Sequence, residues 1–113
     1  MEGTKKLQVR LSKEFNHDLD EVYQYGVDTF GVNQAKIYED KIWQLVNMLS
    51  LSYLLFPECR YLPTKSKKYR WIILDAHQII YRITKSEVQV LRLLHSKRSI
   101  TEIKVSKGLK LSL

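Results

Sequence analysis

Between Tyr69 and His95 the chain offers three runs of β-forming residues with almost nothing between them. Tyr69–Leu74 is followed by Asp75-Ala76, and His77–Thr84 by Lys85-Ser86; Glu87–His95 completes the series. Connections this short leave no room for a crossover, so neighbouring runs must pair antiparallel. In the middle run Ile79, Tyr81 and Ile83 fall on one face and Ile80 and Arg82 on the other. A sheet of this kind buries a face only if something covers it, and the cover has to come from the residues upstream.

Upstream, the hydrophobic period changes twice. Lys6–Leu11 alternates, with Leu7, Val9 and Leu11 on one face, which predicts a first strand. Ser12 stands where a helix N-cap would. Phe15, Leu19, Val22, Tyr23, Val27 and Phe30 then recur at three- and four-residue steps, the pattern of an amphipathic helix that Gly31 is placed to end. Asn33 can cap a second helix, whose stripe is Ala35, Tyr38, Ile42, Leu45, Val46 and Leu49; it fades at Ser50–Ser52, and Pro57 closes the region. The short link predicts an antiparallel helical hairpin. The expected fold is therefore α+β, β-α-α-β-β-β, with the hairpin on one face of a mostly antiparallel sheet. One domain over residues 1–100 accounts for this order. Residues 101–113 are left as a C-terminal extension, either a further strand, because Ile103 and Val105 and then Leu109, Leu111 and Leu113 alternate with polar residues, or a loosely held tail.

The charge is segregated. Residues 1–59 hold 6 Lys and Arg against 9 Asp and Glu, a net of −3; residues 60–113 hold 13 against 3, a net of +10. A basic C-terminal half points to an anionic partner, nucleic acid or acidic protein, beside the plainer reading of a basic surface. Cys59 stands alone, so it forms no internal disulfide. No run of about 18 apolar residues is present, and Met1–Lys6 leads into mixed polar residues; a cytoplasmic protein with no membrane partner is expected. The four glycines are scattered and form no phosphate-binding loop. His17, His77 and His95 lack Cys, Asp or Glu at ligand spacing, so neither a metal nor a cofactor is expected.

Two segments carry a family resemblance. His77-Gln78-Ile79-Ile80-Tyr81-Arg82-Ile83, after Tyr69–Leu74, is similar to the "I-x-Y-R-V" strand of the ParE/RelE toxin superfamily. Val88-Gln89-Val90-Leu91-Arg92-Leu93-Leu94-His95-Ser96-Lys97-Arg98 resembles the "V-x-I-L-R-V-L-H-x-R-R" ending of its ParE-like members, and is the more specific signal. The resemblance runs over about residues 6 to 100. It implies the toxin of a type II toxin–antitoxin module, neutralised by a small acidic antitoxin that wraps it with a helix and an extended strand. Growth inhibition would follow either from ParE-like poisoning of DNA gyrase or from RelE-like cleavage of ribosome-bound mRNA. A non-toxic binding relative is a third possibility.

The nuclease pattern of RelE-like members is damaged here. Arg70 stands for the first strand lysine, but Ile72 falls at the second and Gln78 at the middle arginine. Arg98 matches the last arginine, and no tyrosine follows it. His95 matches the acid of some mRNA-cleaving relatives, and an imidazole titrates in the right range; ParE-like members carry a histidine there too. A gyrase poison is therefore expected before an endoribonuclease. His95, Arg98 and Arg70 would be catalytic only for the nuclease. Lys65, Lys67, Lys68, Arg82, Arg92 and Lys97 are expected to contact target or antitoxin. In a regular last strand His95 would share a face with Leu91 and Leu93, opposite Arg92.

Overall fold

The computed structural model describes residues 5–97 and 100–111. The elements run β1 (Gln8–Leu11), α1 (Lys13–Phe30), α2 (Val32–Ser52), β2 (Tyr69–Leu74), β3 (His77–Ile83), β4 (Glu87–His95) and α3 (Ile100–Val105), followed by a 3-10 turn at Ser106–Gly108. The sheet order is β1-β4-β3-β2, with β1 parallel to β4 and the other pairs antiparallel. This is the α+β order anticipated: a parallel β1–β4 pair needs a long crossover, and the helical hairpin lies within it. At the first tight turn Asp75 takes φ 50°, a left-handed conformation that Asp tolerates better than most residues.

The hairpin turns in one residue. Gly31 at φ 93° donates its N–H to Val27 O at 3.1 Å, and its own carbonyl accepts Ala35 N–H at 3.1 Å. It therefore closes α1 and opens α2, so the Asn33 cap that was expected lies inside the second helix. Close approach continues at Gly26, where a β-carbon would stand 3.2 Å from that of Ala35. Phe15, Leu19, Ile42, Val46 and Leu49 from the two helices meet Ile72, Ile79, Tyr81, Val88 and Val90 from the sheet in the main core. The Tyr81 hydroxyl, wholly buried, donates to Tyr53 O at 2.7 Å; burial pushes its pKa up, as it must for a phenol kept neutral among apolar neighbours.

Because β1 ends at Leu11, β4 beyond Val90 has no strand on that side. Two side chains of the helix take its place. Ser12 accepts Phe15 N–H at 2.8 Å as the N-cap of α1 and donates its hydroxyl to Leu91 O at 2.6 Å. Asp18 accepts Leu93 N–H at 2.9 Å and holds Arg92 through Nε at 2.7 Å and Nη2 at 3.0 Å. In the same stretch the ladder jumps: Tyr81 pairs Val90 while Ile80 pairs Arg92, so Leu91 is the extra residue of a β-bulge. The strand is not regular, and the expected face-sharing is corrected. Leu91 packs in the cluster on the far side of the sheet, whereas Leu93 packs under the hairpin.

That far side is closed by residues 100–111. Ile103 is buried, and Leu109 and Leu111 pack partly buried, over Cys59, Leu62, Tyr69, Ile80, Leu91 and Leu94. The alternation that allowed a strand there is instead that of a short helix and an extended end, held down by packing. The outer edge of β2 is partly covered as well. Cys59 N–H donates to Tyr69 O at 2.9 Å and Trp71 N–H to Pro57 O at 3.2 Å, so this edge is closed to a further strand along that stretch. No helix among the described residues is long and apolar enough to cross a membrane.

Candidate functional site

The bulge has a chemical consequence. With an unbroken ladder His77 would face Leu94; shifted by one residue it faces His95. The two imidazoles meet edge to face, with centroids 5.3 Å apart and planes at 80°. Tyr38 reaches down from α2: its hydroxyl lies 2.7 Å from His77 Nδ1 and 3.2 Å from Leu74 O. The sequence holds these groups far apart, and only the register of β3 on β4 and the pitch of α2 assemble them.

The trio lines a cleft of about 960 Å³ between the hairpin and the end of the sheet, walled by Leu19, Val22, Tyr25, Phe30, Ala35 and Leu93, among others. Asp75, paired with Lys41 at 3.6 Å, stands at its rim. Burial, and then the neighbouring His95, lower the His77 pKa, so this ring is held neutral. Burial and the Asp75 carboxylate push the Tyr38 phenol up to about 12. His95 is exposed, and its Nδ1 accepts Lys97 N–H at 3.1 Å, so Nδ1 is engaged as an acceptor. Chemically this is one solvent-accessible imidazole backed by a neutral one.

Among the described residues, the arginines do not gather round it. The Arg70–Tyr81 pair lies four residues along β3 from the His77–His95 pair, about 13 Å at the rise of a strand. Arg70 spends its donors on backbone carbonyls, Nε on Lys67 O at 3.1 Å and Nη1 on Leu54 O and Phe56 O at 3.1 and 2.9 Å. Arg92 is bound to Asp18. Arg82 reaches to the C-terminal segment, with Nη2 on Leu109 O at 2.8 Å, and also holds Gln89 Oε1 at 2.8 Å. Lys97 is exposed beside His95. Arg98 lies outside the described residues.

Lys65, Lys67 and Lys68 are exposed on a separate turn. Glu58 Oε2 accepts Thr64 N–H at 3.0 Å, Thr64 O accepts Lys67 N–H at 3.1 Å, and Thr64 Oγ1 accepts Lys68 N–H at 3.1 Å. Among the described residues no group of three or more His, Cys, Asp and Glu is placed to hold a metal ion. Sequence reasoning missed Tyr38 and His77. Tyr38 was visible only as part of an apolar stripe, and the pairing of His77 depends on a bulge that no residue type announces.

Three comparisons with known proteins bear on this arrangement. The family model described as the ParE toxin of the type II toxin–antitoxin system parDE matches residues 9–100. No curated protein matches the chain. Among solved structures, a chain from the chromosomal ParDE toxin–antitoxin system of P. aeruginosa is 19% identical, with a TM-score of 0.67, covering 81% of this chain and 98% of that one. At that identity the likeness shows a shared fold.

Proposed function

This chain belongs to the ParE toxin family of type II toxin–antitoxin systems, and from that membership we propose that it inhibits growth by poisoning DNA gyrase and is neutralised by a small acidic antitoxin. The observation that carries the reading is the extent of the family match, which runs from β1 through the whole of β4, the Val88–His95 ending included. The geometry of the cations supports it. A nuclease of this superfamily needs cationic groups round the scissile phosphate and an acid at the leaving oxygen. Here His95 and Arg70 stand at opposite ends of the strands, and the guanidiniums of Arg70, Arg82 and Arg92 are engaged with protein groups. A gyrase poison needs a surface that holds the cleaved complex, and a basic C-terminal half suits it.

The cognate antitoxin is the partner that this membership implies. The cleft under the hairpin and the short edge strand β1 offer it an apolar wall and a strand edge. The deciding experiment is gyrase-mediated cleavage of plasmid DNA with the purified chain and ATP. Accumulation of linear DNA, abolished by the antitoxin, is the expected result. Clean supercoiling without breaks sinks the gyrase reading. It transfers the proposal to ribosome-dependent mRNA cleavage, for which the exposed His95 is the favouring observation, and His95 and Arg98 are the residues to substitute first. Neither effect, together with growth unimpaired on expression, would leave a non-toxic binding relative.

A further inference from the structure

We propose that the sheet face turned away from the hairpin binds the phosphate backbone of duplex DNA, through the lysine turn at 65–68 joined to Lys107 and Lys110 of the C-terminal segment. The proposal rests on the gyrase reading, in which the target is a protein–DNA complex, and adds a direct contact between toxin and DNA. Lys107 and Lys110 lie beyond the residues that the family model matches.

Four observations carry it. First, the two sides of the sheet differ in charge. The helices α1 and α2 together hold 3 lysines and 7 acidic residues, a net of −4, so the basic excess of the chain lies off the hairpin. Second, the lysine turn is built rather than loose. It is fixed by the bonds from Glu58 and Thr64, and by Arg70 Nε on Lys67 O. Lys67 sits at φ 54°, a left-handed conformation that strains a non-glycine residue. Lysines that merely solvate a loop need neither the scaffold nor the strain.

Third, the two segments adjoin. The Lys68 ammonium stands 5.6 Å from the Tyr69 ring. The Tyr69 hydroxyl donates to Lys107 O at 3.4 Å, and Arg82 spans from that hydroxyl to Leu109 O. The carbonyls of Lys107 and of Leu109, the residue before Lys110, are thereby tied to the residues beside the turn, and both lysines are exposed. Fourth, the acidic side chains nearby are engaged: Glu58 on the Thr64 amide, and Glu87 with Arg10 and Gln89.

Phosphate suits this surface better than an acidic protein does. The cations are lysines, mobile point charges that bind phosphate without the planar fork a carboxylate rewards. The apolar side chains that join the two segments, Tyr69 and Leu109, are buried or half-buried, so they offer a protein partner little apolar surface.

The test is fluorescence anisotropy of a short labelled duplex with the full chain over a salt series. Each phosphate neutralised contributes about −0.9 to the slope of log K against log salt. K65Q/K68Q and K107Q/K110Q are each expected to flatten that slope by about 1 to 2. K13Q/K36Q, which removes the same charge from the hairpin, is expected to leave it unchanged. Equal losses from all three pairs would mean a net-charge effect and overturn the proposal, as would no binding at low salt. Loss of binding to a polyglutamate peptide with duplex binding intact would assign the surface to an acidic protein instead, and overturn it too. Gyrase cleavage by the wild-type chain separates the two readings. Cleavage without lysine-dependent duplex binding sinks only this proposal; lysine-dependent binding without cleavage sinks only the gyrase reading.

Discussion

The sheet is closed on both faces, but by different means. Under the hairpin, two long helices lay a continuous apolar stripe on β2, β3 and β4, and the buried Ser12 and Asp18 side chains serve the edge that β1 leaves uncovered. On the other face a six-residue helix and one 3-10 turn cover a smaller cluster, and an arginine fastens the end of the segment by its carbonyls. A helix of that length has no stability of its own, so Ile103 and Arg82 have to supply what propensity cannot. One face is held by area, the other by a few named contacts, and substitutions should tell the two apart.

The largest effect belongs to the hairpin face. Phe15→Ala, at a side chain with no exposed surface, is expected to cost about 3 to 5 kcal/mol in urea denaturation, a large share of the stability of a small domain. Asp18→Ala follows, at about 2 to 3 kcal/mol, because it strands the Arg92 guanidinium and the Leu93 amide; the partial exposure of Arg92 keeps it below the range for a fully buried pair. Ile103→Ala is expected at about 2 kcal/mol. Its signature is local: hydrogen exchange should quicken through residues 100–111 while α1 and α2 keep their protection. Equal loss in the hairpin would break the comparison, since the two faces would then unfold as one unit.

Smaller effects sharpen it. Tyr38→Phe removes the hydroxyl from His77 and Leu74 and should cost about 1 kcal/mol, with no change at the far face. The pH dependence is the smallest. The His77 pKa is lowered in the folded chain, so the unfolded chain binds more protons below the ordinary histidine value. Stability is full above about pH 6.5 and falls as pH drops below it. His77→Asn should flatten the melting temperature against pH in that window; an unchanged slope would remove His77 as the cause.

The same contrast separates what the sequence made legible from what it did not. Tyr69–Leu74, His77–Ile83 and Glu87–His95 could be read because their turns are too short for any other pairing, and α1 and α2 because Phe15 to Phe30 and Ala35 to Leu49 keep a helical period. The far face could not. Ile103, Leu109 and Leu111 become covering residues only once Ile80 and Leu91 are known to point at them, and Leu91 does so because of the bulge. The surroundings of the candidate site were not legible for a related reason. Arg70, Arg82 and Arg92 read alike in a sequence as exposed cations, yet each finds its acceptors far along the chain. Lys65, Lys67 and Lys68 are exposed, as a lysine run predicts, though nothing in the run announces the left-handed residue that shapes it.

The partner of β1 sets the order of events during synthesis. Gln8 pairs with Glu87, and Ser12 reaches Leu91 across 79 positions. A ribosome delivers a chain from its N-terminus at about 5 to 20 residues per second, so the hairpin emerges seconds before the strand that both it and β1 must pack on. Until β4 is out, α1 has no Leu91 carbonyl or Leu93 amide to bind, and the main core lacks Val88, Val90 and Leu93. Closing so distant a contact is slow. The main core is therefore incomplete through most of translation, and a partner made alongside the chain has that interval in which to meet it before it closes.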